Sequence, residues 1–80
     1  MLTRYIDTVM KHARYKWLSE EDGYYGEIPE LPGVWATGST EPACAKELQE
    51  VLEDWISLGL AMHHDFPIID GVTIEIHAAA

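Results

Sequence analysis

The stretch from Thr40 to Leu58 constrains the fold more than any other. Cys44, Leu48, Val51, Leu52, Trp55 and Leu58 recur at three- and four-residue intervals, and Lys46, Glu47, Glu50, Glu53 and Asp54 lie between them. That spacing predicts a long helix with an apolar stripe and a charged opposite side. Ser39 or Thr40 offers the side-chain oxygen that a helix cap needs, and Pro42 falls in the first turn, where its missing N–H costs little. Gly59 weakens the end without stopping it, and "MHHDFP" is a polar connection closed by Pro67. Such a helix must lay its stripe on an opposing layer, which the rest of the chain has to supply.

Strands are the natural source of that layer. "RYKWLS" alternates Arg14 and Lys16 with Tyr15 and Trp17, which suits a strand with one face buried. Asp22-Gly23 is a hairpin signal, because glycine accepts the positive φ of a tight primed turn, and "YYGEI" returns from it. Pro29 and Pro32 place "PELPG" in a bend outside the ladder, "VWAT" resumes as a third strand, and "VTIEIH" alternates as a last one. Ahead of them, Leu2, Ile6, Val9, Met10 and Ala13 predict a short amphipathic helix that depends on packing for its order. The expected fold is a small two-layer α+β domain in the order helix-strand-strand-strand-helix-strand. Its early strands form an antiparallel meander, since their links are too short for parallel crossovers.

With 80 residues, 48% of them hydrophobic, the chain can build one core. We expect a single domain over residues 1–77, with Ala78, Ala79 and Ala80 as a frayed tail. A core this thin, carrying three tryptophans and four tyrosines, predicts a dimer or larger assembly, with a seam at the strand edge near Val34 to Thr37 or on the long helix. The net charge of -9 and a pI near 4.6 disfavour nucleic-acid binding and favour a basic partner. One cysteine excludes an internal disulfide, and no apolar run approaches the roughly 18 residues of a membrane span. Charges interrupt the first residues where a signal peptide needs its apolar centre, so a cytoplasmic location is expected.

Candidate chemistry is sparse. Glu20, Glu21 and Asp22 read as a solvated hairpin tip, and Glu27 and Glu30 flank Pro29 at a bend that suits edge protection or a partner better than paired acid-base catalysis. His63, His64 and Asp65 have metal-binding chemistry, but adjacent residues diverge and the four-residue spacing of a helical metal pair is absent. His12 and His77 could join them only through tertiary structure. Cys44 lies on the apolar stripe as a small buried hydrophobe. Nothing pairs a nucleophile with a base and an orienting acid, and no glycine loop cradles phosphate, so no enzyme activity, metal or cofactor is expected. The competing readings are a small metal-dependent nuclease and an RNA-binding module. The second needs basic residues around its aromatics, and Arg4, Lys11, Arg14 and Lys16 are the only cluster available.

The stretch Tyr24 through Ile56, "YYGEIPELPGVWATGSTEPACAKELQEVLEDWI", resembles the core of the HicB antitoxin family and its stand-alone relatives. Pro29, Pro32, Gly33, Gly38, Thr40 and Glu41 match that family's strand, Pro-x-x-Pro-Gly bend and Gly-x-Thr cap in order. The resemblance implies a partial ribonuclease-H-like fold without its catalytic carboxylates. It also implies a partner, a small basic HicA-type toxin that cleaves mRNA. Many members append a DNA-binding segment; this chain has no basic recognition element after "VTIEIH", so direct operator binding is not expected. The partner surface expected from charge and resemblance together comprises Glu20, Glu21, Asp22, Glu27 and Glu30 for steering, and Tyr24, Tyr25 and Trp35 as anchors. A homo-oligomeric adaptor is the alternative.

Overall fold

The computed structural model describes residues 2–74. Five elements follow one another: α1 (Leu2–Met10), β1 (Arg14–Ser19), β2 (Gly23–Glu27), β3 (Trp35–Gly38) and α2 (Glu41–Ala61). The strands form an antiparallel sheet in chain order β1-β2-β3, and α2 lies over β3 and β2 while α1 packs on α2. This is the expected α+β domain with an open antiparallel sheet.

The β1-β2 hairpin forms through a different turn from the one expected. Either two-residue primed turn on Asp22-Gly23 needs positive φ at Asp22, yet only Gly23, at +72°, adopts it here. Residues 20–22 make the loop instead. The Asp22 N–H donates to Ser19 Oγ at 2.9 Å, Gly23 pairs with Ser19, and the register shifts between Trp17 and Ser19. Glycine is required at position 23 twice over, because a Cβ there would also strike the Gly38 carbonyl of β3.

Residues 28–34 carry the chain from β2 to β3 through two consecutive turns. The Leu31 N–H donates to the Ile28 carbonyl and the Val34 N–H to the Leu31 carbonyl, each at 2.9 Å, and the Ile28 N–H closes the loop on Val34 at 3.3 Å. Pro29 and Pro32 each take the second position of a turn, where their fixed φ is already correct. The three-residue period turns Ile28, Leu31 and Val34 into the core while both prolines stay exposed.

Thr40 is the cap of α2, its Oγ1 accepting from the Ala43 N–H at 3.2 Å, and Pro42 stands in the first turn. The helix starts immediately against the end of β3. A Cβ on Gly38 would collide with the Cys44 backbone, so glycine sets that approach. The buried line of α2 is Cys44, Leu48, Leu52, Ile56 and Gly59. Each four-residue step advances about 40° around an axis of 3.6 residues per turn, so the buried side has drifted by the last turns. Ile56 therefore joins the core, and Leu58, expected on the stripe, is 58% exposed.

α2 ends in a paired set of bonds: His64 N–H to Gly59 O at 2.8 Å and His63 N–H to Leu60 O at 3.3 Å. His63 has φ +56°, the left-handed residue that this helix terminator demands. Beyond it, Phe66 meets Tyr5 and Trp55 edge to face, with ring centroids 6.2 and 5.5 Å apart, and the Tyr5 hydroxyl donates to the Pro67 carbonyl at 2.9 Å. A primed turn does occur, at Asp70 (φ +50°) and Gly71 (φ +75°), where Ile69 and Val72 exchange both hydrogen bonds. Of the expected last strand, Val72 makes only that isolated bridge and Thr73 and Ile74 are not in a strand, while Glu75, Ile76 and His77 lie outside the described residues.

Candidate functional site

The eight residues expected to form a partner surface occupy four places. Glu20, Glu21 and Asp22 stand together, exposed, at the tip of the β1-β2 hairpin. Tyr24 is registered opposite Trp17 on the side of the sheet that bears the helices, directly behind that tip. Tyr25, Glu27 and Trp35 point to the other side. Glu30 is elsewhere, in the double-proline loop.

Trp17 corrects the expectation of a strand with one buried face. It is 57% exposed, because α2 lies over β3 and β2 and leaves β1 as the sheet's margin, where Tyr15 is half-buried. Periodicity along β1 assigns Trp17 to the right side but cannot show how far the helix reaches. The residue belongs to the hairpin-end surface although sequence reasoning did not name it there.

Glu30 is not a free rim acid. Its Oε2 lies 2.6 Å from His12 Nδ1, and Asp70 Oδ2 lies 2.7 Å from His12 Nε2. One imidazole thus ties the end of α1 to the proline loop and to the Asp70-Gly71 turn. The hydrogen bond that His12 donates to Asp70 is the main cause that raises the His12 pKa above 6.5; partial desolvation works against it, and Glu30 adds to the rise. With a carboxylate on each ring nitrogen, both nitrogens donate in the imidazolium form and neither is free to take a proton from a substrate. The cluster is a structural clamp.

The histidine doublet has a different explanation from metal binding. His63 supplies the left-handed turn that stops α2, and among the described residues no group of three or more His, Cys, Asp or Glu could hold a metal ion. Cys44 is buried, its thiol donating to the Ala36 carbonyl at 3.6 Å; burial first, and the charge of Glu41 second, push its pKa up. That is the opposite of an activated nucleophile. A shallow depression of about 600 Å³ lies along α1, lined by Thr3, Arg4, Asp7, Thr8 and Lys11 with Asp70 and Val72, and it gathers no catalytic set.

The UPF0150-like family model matches residues 4–67. The crystal structure of TTHA0281 from Thermus thermophilus is similar to this chain with a TM-score of 0.90 and 46% identity, over 95% of this chain and 94% of that one. No curated protein matches.

Proposed function

We propose, for a chain that belongs to the UPF0150-like family, the role of an antitoxin-like protein that binds and neutralises a small basic HicA-type endoribonuclease. The hairpin end carries this reading. There Glu20, Glu21 and Asp22 are exposed with no cation paired to them among the described residues, and Trp17 and Tyr24 offer aromatic area directly behind them. The acids steer a cationic partner and the aromatics hold it. The domain is then the partial ribonuclease-H-like fold of the HicB resemblance, cytoplasmic, self-associating, without operator-DNA recognition or hydrolytic activity of its own.

The test is reconstitution with a HicA-type toxin, scoring complex formation and protection of RNA. Glu20→Lys with Glu21→Lys should slow association and flatten its salt dependence, while Trp17→Ala should speed dissociation. If the two proteins neither associate nor spare RNA, the antitoxin role fails. The second reading, a homo-oligomeric adaptor, is favoured by the outer edges of β1 and β3, which no other strand pairs among the described residues. Light scattering on the isolated chain tests it, a monomer mass at tens of micromolar being the outcome that rejects self-association.

A further inference from the structure

Neither helix reaches the outer side of the sheet, and the hairpin-end surface does not use it. Strand alternation places Arg14, Lys16, Tyr25, Glu27, Trp35 and Thr37 there. Tyr25 and Trp35 stack across the β2-β3 pair, with centroids 6.1 Å apart and planes inclined by 27°, and Trp35 is 54% exposed. Lys16 is in register with Tyr25, and Arg14 with Glu27, whose other neighbour is Trp35. Among the described residues neither Arg14 nor Lys16 takes part in an ion pair. Two of the chain's five basic residues therefore flank an exposed stacked aromatic pair, with Glu27 as the acid on that face and Glu30, engaged by His12, in the depression beside Arg14, in a protein of net charge -9.

We propose that this face binds single-stranded nucleic acid. Unpaired bases stack on Trp35 and Tyr25, and the phosphates between them meet Lys16 and Arg14. Three strands span only about 10 Å, room for one or two nucleotides, and the acidic remainder of the surface keeps longer tracts off. A duplex is excluded, because its base faces are already stacked. A basic protein is disfavoured by the two cations it would have to cover, so this occupant is distinct from the toxin at the hairpin end.

Glu27 separates the two partners by sign. Next to a polyanion its charge repels, so Glu27→Gln should tighten nucleic-acid binding, whereas beside a basic protein the same change would weaken binding. The experiment titrates a fluorescently labelled ten-nucleotide oligo(dT) with the whole chain at low salt and reads anisotropy. Trp35→Ala should weaken binding about tenfold, the loss expected for one stacked base. Lys16→Glu should weaken it also. The salt dependence should follow a log-log slope of roughly -1.4, about -0.7 for each of two phosphates. Trp17→Ala should leave oligo(dT) binding unchanged, and Trp35→Ala should leave toxin binding unchanged, so the two readings fail separately. Circular dichroism of each variant confirms that it is folded. Absence of binding at low salt, equal binding of the corresponding duplex, binding of polyglutamate in place of oligo(dT), or weaker binding by Glu27→Gln would each overturn the proposal.

Discussion

At the scale of single residues, His12 carries the clearest pH dependence. Its pKa is raised in the folded protein by Asp70 and Glu30, so folding takes up a proton wherever the unfolded imidazole has lost one. The stabilisation is complete below the unfolded value near 6.5 and is lost as pH rises through the higher folded value. The urea midpoint of the native chain should therefore fall between about pH 6 and 9 by more than that of His12→Asn, and the difference between the two profiles isolates the clamp. Parallel profiles would show that the clamp contributes nothing. His63 illustrates the other use of this residue type: a doublet that has metal-ligand chemistry on paper serves as backbone punctuation, a role set by φ and invisible to side-chain reasoning.

At the scale of elements, α2 tests how far periodicity can be trusted. Leu52 is fully buried and Leu58 is more than half exposed, though both lie within the apolar pattern. Leu52→Ala should cost about 2–5 kcal/mol and Leu58→Ala less than about 0.5, read from urea unfolding. Equal costs would mean that the end of the helix is covered. The five described elements and the cap at Thr40 were legible because each has a local cause: repeat spacing, a hydroxyl before Pro42, prolines at turn positions. Ile56 in the core and Trp17 outside it were not, since both depend on where one layer ends over another. Tyr5 was missed for a related reason. It reads as a polar aromatic on a short helix, yet it is fully buried because Pro67, far along the chain, accepts its hydroxyl hydrogen. The clamp at His12 escaped notice likewise, its partners being 18 and 58 positions away.

At the scale of the whole molecule, one core of a dozen buried side chains among the described residues must hold both helices to the sheet, and Cys44, between α2 and β3, has no exposed surface. Its thiol should react with a disulfide reagent only when the domain opens. For a domain stable by about 5 kcal/mol or more, labelling should run at least ~10³-fold slower than in urea-unfolded chain and accelerate in step with urea. Fast labelling of the native protein would reveal local opening between α2 and β3. The aromatic surface is also partitioned at this scale: Trp55 seals the core through Phe66, and Trp17 and Trp35 are left on opposite sides of the sheet. Those two sides are separate exposed surfaces.

The contacts of α1 and the turn after it reach across nearly the full chain, from Tyr5 to Pro67 and from His12 to Asp70. On a ribosome α1 is thus made well before the last of its partners. The meander and α2 can collapse as they emerge, and α1 can then pack on α2, but the Tyr5 hydroxyl finds its acceptor only once Pro67 leaves the exit tunnel. Until α2 has emerged the apolar side of α1 is open to chaperones and to other nascent chains, and a ribosome stalled within α2 would display it.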